Sequence, residues 1–272
     1  MRLSVEIPAR QIERKNDAGR MKLARMPDGE PEIFHTVQGE GRNAGLPSVF
    51  VRTSLCNLHC RWCDTDYTWN WEGTPFVHDR DADPGYAKFR REEQIIELPV
   101  DEVARRVAEP GCRSFVFTGG EPLLHEPDWL ALMAALREIL GEPCHFEIET
   151  NGSRAPGGDF TAEISQFNVS PKLANSGMER GQRIRPDVLR TLVATGKADF
   201  KFVVDSEADL AEVDEIVALS GIKPERVFLM PQGATVAAQD ARSGWVVRRC
   251  LERGFRYSDR LHLRLFGAKR GV

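Results

Sequence analysis

From residue 48 onward, short apolar runs alternate with amphipathic stretches. The run SVFVRTS predicts a strand that ends just before Cys56. Further strands are predicted at 114–118, 145–149, 164–169, 199–204 and 226–230, and an edge strand at 262–266. Between them lie helical patterns. Val100, Val103 and Val107 share one face of a helix over 99–109, and Trp129, Leu132, Met133, Leu136 and Leu140 form the buried stripe of a helix over 128–140 that Gly141 ends. Shorter helical patterns occupy 186–194, 208–219 and 236–252. Residues 1–33 are polar and weakly patterned; Met21 offers a second start, so 1–20 reads as an N-terminal extension of a domain over 21–272. The segment 64–98 reads as irregular, rich in Asp, Gly, Trp and charge, and longer than an ordinary connection, which predicts an inserted segment that is functional, partly structured or mobile.

Strand–helix alternation is the signature of a parallel sheet with helices outside. About six strands fall short of a closed eight-fold barrel, so the pattern predicts an α/β fold of the partial, open TIM-like barrel type. A doubly wound sheet would give the same alternation. Thr118, Glu149, Ser170 and Lys172, and Gln232 each follow the end of a predicted strand. In parallel α/β sheets those ends converge on one ligand-binding face, and Cys56 enters from the same side.

The chain has 272 residues with 41% hydrophobic and 29% charged residues and a formal net charge of −4, which suits one globular body. The basic pairs Arg105-Arg106 and Arg248-Arg249 are too short to grip a nucleic-acid backbone. No apolar stretch has membrane-spanning length and no signal-peptide pattern opens the chain, so a cytoplasmic setting is expected. Of 6 cysteines, Cys112, Cys144 and Cys250 stand singly in apolar surroundings and read as small buried hydrophobes.

The other three, Cys56, Cys60 and Cys63, are crowded into LCNLHCRWCDT. Thiolates favour iron–sulfur clusters, zinc and copper(I). A closed zinc site wants four ligands, and His59 or the more distant His78 would have to supply the fourth. Three thiolates instead suit a [4Fe–4S] cube whose fourth iron stays open to a small molecule.

CNLHCRWC is similar to the CxxxCxxC motif of the radical S-adenosylmethionine superfamily, and Gly119-Gly120-Glu121-Pro122 resembles its second motif. TVQGEG at 36–41, FVRTSLCNLHCRWCDT at 50–65, NVSPK, MPQG and the tail HLRLFG resemble one family within it, the 7-carboxy-7-deazaguanine synthases. The likeness runs from about Met21 to Val272. It implies radical ring contraction of 6-carboxy-5,6,7,8-tetrahydropterin to 7-carboxy-7-deazaguanine with loss of ammonia. A deoxyadenosyl radical would take hydrogen from C6 and return it afterwards, so that S-adenosylmethionine is reused.

The resemblance also implies roles. Cys56, Cys60 and Cys63 hold the cluster. Gly119, Gly120, Glu121, Glu149, Asn168, Ser170, Lys172 and Gln232 serve S-adenosylmethionine, with Glu121 near its ammonium. Arg52 is the counter-charge to the pterin carboxylate, and Gln38, Glu40, Asp64, Thr118, His262 and Val272 complete the substrate site. Thr65 resembles the single protein ligand of Mg2+, with Asp66 an alternative from the same loop. A homodimer and a flavodoxin or ferredoxin-type electron donor are family expectations; no direct nucleic-acid or membrane contact is expected. Trp69, Trp71 and Phe76 are read as local packing rather than electron relays. Two rivals share some of these residues: a glycyl-radical activating enzyme, which needs an open groove for a protein loop, and a zinc-stabilised binding protein.

Overall fold

The computed structural model describes residues 19–272. Most of the expected 1–20 extension therefore lies outside the described residues. Ten strands form one sheet: β1 (Arg20–Ala24), β2 (Ile33–Val37), β3 (Pro47–Thr53), β4 (Ile95–Pro99), β5 (Ser114–Gly119), β6 (His145–Thr150), β7 (Gln166–Val169), β8 (Ala198–Val204), β9 (Val227–Pro231) and β10 (Arg256–Tyr257). The order is β10-β9-β8-β7-β6-β5-β3-β1-β4, with β2 also paired to β3. From β3 through β5 to β10 every pairing is parallel, whereas β1, β2 and β4 pair antiparallel. The expected open, largely parallel barrel is thus present, extended on one side by an antiparallel flap.

Three sequence expectations need correction. The weakly patterned 1–33 region contributes β1 and opens onto β2. The end of the 64–98 segment, which reads as irregular, is β4, whose full length pairs with β1. Both strands are short, and their partner lies far away in sequence, so neither carries a local signal beyond a few apolar residues. Residues 262–266, expected as an edge strand, lie instead in the helix Leu261–Phe266, and the sheet edge on that side is the two-residue β10. Five apolar-rich residues are too few to separate period 2 from period 3.6.

The strands of the parallel run have two distinct faces, as a period of two requires. Val49, Val51, Phe115, Phe117, Phe146, Ile148, Phe167, Phe200, Phe202, Val227 and Leu229 join one hydrophobic cluster with residues of the outer helices. Trp129, from the helix Glu126–Leu140, stacks on Phe117 with centroids 4.5 Å apart. The alternate positions carry Arg52, Thr118, Glu147, Glu149, Asn168, Asp199 and Lys201. These face the concave interior. A barrel closed by apolar layers would bury such groups without partners; here the interior is a polar chamber.

The loop between β2 and β3 plugs the lower end of that chamber. Arg42 grips Asp199 with two bonds of 2.6 and 2.8 Å, and Asn43 donates to Glu147 at 2.6 Å. Ser48 and Ser114 share a hydrogen bond of 2.9 Å beside them. Every buried polar group named here has a partner, which keeps the cost of burial low.

Candidate active site

Above this floor opens a cavity of about 610 Å³ at the carboxyl ends of the parallel strands. Its walls include Cys56, Cys60 and Cys63, the strand-end groups Thr118, Gly119, Gly120, Glu149, Asn168, Ser170, Lys172 and Gln232, and also Gln38, Glu40, Arg52, Asp64, Thr65, His262 and Val272. Of the residues singled out from sequence for the site, Glu121 and the alternative ligands Asp66 and His59 are missing from the wall.

The cysteine loop leaves β3 through Leu55, the one non-glycine residue with positive φ (74°) among those described. A leucine there is strained by roughly 1–3 kcal/mol, a cost that persists only where surrounding contacts enforce it. The enforcing contacts come from the turn after β5. Glu121 N donates to Leu55 O at 2.9 Å and Gly120 N to Thr53 O at 3.2 Å. Gly120 lies so close that a Cβ there would meet Leu55 C at 2.6 Å and Cys56 Cβ at 2.8 Å. The GG pair is therefore required by the close approach of two backbones, one of which carries the first cysteine.

Glu121 stands behind the wall. Its Oε1 accepts from Leu123 N (3.0 Å) and Thr150 Oγ1 (2.8 Å), and its Oε2 from Asn151 N (2.8 Å). The side chain is fully buried, and burial raises its pKa against the pull of these donors. In this arrangement Glu121 ties the turn after β5 to the end of β6.

Burial pushes all three thiols up, Cys60 to about 12, while Lys172 pulls the Cys60 thiol the other way. Thiols in such a place become thiolates only beside strong positive charge, which coordinated iron supplies. The donor set thus fits a metal cluster. Among the described residues no three His, Cys, Asp or Glu side chains are grouped for a single metal ion. Sulfurs that bind separate irons of a cube need not converge on one point. Neither candidate fourth ligand fits a zinc site. His78 Nδ1 accepts from Arg80 N at 3.2 Å, which leaves Nε2 to donate to Cys63 O at 2.8 Å, so no ring lone pair is free. His59 stacks on Phe76 at 3.4 Å between centroids and does not line the cavity that the cysteines share. The aromatic residues of the inserted segment pack locally: Trp69 is buried edge-on to both His59 and Phe76. Asp66 is buried under Tyr86, which donates to it at 2.6 Å, and does not line the cavity. All six cysteines are free; Cys250 is buried as expected, whereas Cys112 and Cys144 are only partly buried.

The other side of the cavity is densely charged. Glu40 pairs with Lys201 and with Arg260 (3.0 Å), and Arg260 also pairs with Asp64. Burial would raise the Glu40 carboxyl, but Lys201, Arg260 and His262 hold it well below the usual range. His262 packs against Gly39, whose missing side chain makes the room, and burial lowers the imidazole pKa. Arg52 donates through Nε to Glu32 at 2.9 Å and through Nη1 to Thr118 at 3.4 Å. Thr118 in turn donates to Glu149 at 2.9 Å, and Gln38 spans Glu149 and Glu147 at 3.4 and 3.5 Å. Lys172 donates to Ser170 at 2.9 Å, and Asn168 to Glu147 at 2.7 Å. Thr65 Oγ1 lies 3.4 Å from Cys63 Sγ. Phe34 and Phe50, paired across β2 and β3, stack at 5.2 Å and form a flat apolar wall of the same cavity.

Sequence reasoning missed Glu32, Tyr67, Lys201, Arg260 and Arg270, all of which line the cavity. Lys201 had a readable signal: it is a charge flanked by apolar residues within β8, at an inward position. The others sit in irregular or antiparallel segments, where periodicity assigns no face.

Comparison with known proteins agrees with this arrangement. Residues 50–170 match the family model of the radical SAM superfamily. A 7-carboxy-7-deazaguanine synthase from Rhodopirellula baltica is 34% identical over 89% of this chain and 87% of its own length. One from Pyrobaculum aerophilum is also 34% identical, over 88% of this chain and 95% of its own. One from Escherichia coli is 28% identical over 85% and 95%. The crystal structure of QueE from Escherichia coli shares the fold, with a TM-score of 0.60 over 89% of this chain and 95% of that one at 24% identity. Taken with the glycine-braced cysteine loop at the mouth of a half-open barrel, these matches place the chain in the 7-carboxy-7-deazaguanine synthase family of the radical SAM superfamily.

Proposed function

We propose that the chain is a lyase that contracts 6-carboxy-5,6,7,8-tetrahydropterin to 7-carboxy-7-deazaguanine with release of ammonia, a step toward queuosine. The observation that carries this reading is one cavity shared by three thiols and by a compartment with a flat aromatic wall, an arginine and buried carboxylates. A glycyl-radical activator would need room for a protein loop; here the charged side chains on the substrate side already pair with one another.

In this reading Cys56, Cys60 and Cys63 hold a [4Fe–4S] cluster. Cluster and S-adenosylmethionine together supply a hydrogen-abstracting radical when bound. The protein supplies position, charge and dryness. Ser170, Lys172, Asn168, Glu149 and Gln232 serve S-adenosylmethionine from the strand ends, with Gly119 and Gly120 giving close backbone approach. Arg52 meets the substrate carboxylate as a pre-oriented fork. Phe34 and Phe50 bound the flat bicycle, and Gln38, Thr118, His262 and Glu40 face its polar edge. Thr65 offers one hydroxyl to Mg2+, with substrate and water completing an octahedron, and Asp64 stands beside it. Reduction by a flavodoxin or ferredoxin-type donor, a homodimer and a cytoplasmic setting belong to the same reading. No helix among the described residues is long and apolar enough to cross a membrane.

The test is anaerobic incubation of reconstituted protein with S-adenosylmethionine, reductant and carboxytetrahydropterin, with and without magnesium. 7-Carboxy-7-deazaguanine should form, and deuterium at C6 should move into 5′-deoxyadenosine. Absence of both under fully reducing conditions refutes the assignment; a rate indifferent to magnesium refutes the role of Thr65.

A further inference from the structure

Glu32 is the least exposed charge on the cavity wall, and two arginines share it. Its Oε1 accepts from Arg52 Nε at 2.9 Å, and its Oε2 from Arg270 Nε at 2.9 Å. Arg270 Nη2 lies 2.7 Å from the same Oε2 and also donates to Arg25 O at 2.7 Å. Tyr67 donates its hydroxyl to both oxygens at 3.1 and 3.0 Å, and its ring lies 3.5 Å beneath the Arg270 guanidinium carbon. The Glu32 side chain is 1% exposed, against 16% for Arg52 and 23% for Arg270. Burial would raise the carboxyl, but Arg52 and Arg270 hold it lowered, so it stays ionised.

The pairing joins distant parts of the chain. Glu32 precedes β2, and Arg270 belongs to the tail that follows the helix Leu261–Phe266. Gly267, Ala268, Lys269, Arg270, Gly271 and Val272 all line the cavity, yet this tail contains no helix or strand. A second contact fixes the same place. Gly271 turns at φ 73°, and a Cβ on it would meet Met26 Cε at 2.7 Å. Two residues span at most about 7 Å of chain, so pinning Arg270 also confines Val272. Glu32 lies between two guanidiniums, and Arg52 also feels Glu149 across Thr118, so the Arg52 fork reaches the cavity with part of its hydrogen-bonding already engaged.

We propose that Glu32 is a positioning residue that couples two elements of the substrate compartment: it orients the Arg52 fork and latches the C-terminal tail through Arg270. Substrate binding at Arg52 and closure of the tail over the cavity then support each other. The proposal rests on the substrate assigned above.

The test uses E32Q, R270M, R270K and the double variant E32Q/R270M as full-length, cluster-loaded protein. Equilibrium binding of carboxytetrahydropterin should weaken about tenfold in E32Q and in R270M, as expected for loss of a charge-assisted hydrogen bond. The double variant should bind no worse than the weaker single one, and R270K should recover part of the loss. In ligand-free protein, trypsin cleavage after Lys269, read by mass spectrometry, should be several-fold faster in E32Q than in the parent. Parental affinity in both single variants, or losses that multiply in the double variant, would overturn the coupling. An unchanged cleavage rate would overturn the latch. The two readings fail separately: a parent protein that does not bind the pterin refutes the assigned substrate, while the ligand-free cleavage rates still decide the latch.

Discussion

Gly120→Ala tests whether the strained cysteine loop is held by the turn after β5. A methyl at residue 120 would collide with the Leu55 carbonyl group, 2.6 Å from its carbon, and with Cys56 Cβ at 2.8 Å. Ordinary contact begins near 3.4 Å, so the loop must retreat by at least about 0.8 Å, and further for the nearer carbonyl oxygen. Two of the three atoms met belong to backbone, and Leu55 already sits at φ 74°, so no side-chain rotation relieves the clash. Overpacking of this kind costs about 1–3 kcal/mol. For a chain of this size that lowers the melting temperature by roughly 2–10 °C. The larger effect falls on Cys56, which is displaced from its place relative to Cys60 and Cys63. The assay is iron and sulfide per chain after anaerobic reconstitution, with melting temperature measured on the same samples. Gly158→Ala is the control, because a Cβ there meets nothing within 4 Å. G120A should lose most of its iron while G158A loads like the parent. Full iron loading and an unchanged melting temperature in G120A would refute the claim that close backbone approach requires this glycine.

Cys60→Ala should abolish iron loading and all turnover; cluster-like absorbance at parental intensity in that variant would remove Cys60 from the ligand set. Arg52→Ala should keep its iron but bind carboxytetrahydropterin about 10- to 100-fold more weakly, the range for a charge-assisted contact; equal affinity by anaerobic equilibrium binding would overturn its role. Lys201→Met leaves Glu40 with Arg260 alone and should cost about 1–3 kcal/mol at neutral pH, less than the full loss of a buried pair because one cation remains. The folded-state pKa of Glu40 is depressed, so the stability from its pairing is present above the ordinary glutamate range and is lost as pH falls below it. The difference in melting temperature between parent and K201M should therefore hold from pH 7 to about pH 4, where Glu40 is ionised in both folded proteins, and shrink only below that; a difference already lost at pH 5 would contradict that origin.

Legibility in the sequence followed the range of the interactions. Parallel strands such as β5 and β8 are apolar runs bounded by turns, and their limits read within a residue or two. Strand-end groups such as Ser170 and Lys172 could be placed because a parallel sheet aims every carboxyl end at one face. β1 and β4 could not, since each is stabilised by the other across more than seventy residues. Glu121 shows a subtler failure. Its motif marks the right turn, but a carboxylate with three protein donors is already satisfied, and a motif does not say which way a side chain faces. The two candidate histidines failed for different reasons: His78 has both nitrogens occupied, and His59 packs face to face with Phe76 and does not line the cavity.

The charged half of the cavity was the least legible part, and its physics explains why. Sequence isolates Arg52, Glu40 and Asp64 as separate candidates, each expected to meet a ligand. In the fold every one of them already has a protein partner: Glu32 for Arg52, Lys201 and Arg260 for Glu40, Arg260 for Asp64. A buried ion needs such a partner before any ligand arrives, because desolvation of a lone charge costs several kcal/mol. In the proposed function, substrate recognition in this chamber is consequently a matter of exchange. There a ligand carboxylate competes for guanidinium hydrogen bonds that Glu32 takes from Arg52 and that Asp64 and Glu40 take from Arg260, and Arg270 of the tail sets how much of Glu32 is left for Arg52. In the proposed function the last five residues, 268–272, which follow HLRLFG and carry no periodicity of their own, then tune a site whose cysteine and glycine motifs lie more than a hundred residues upstream, at 56–63 and 119–122.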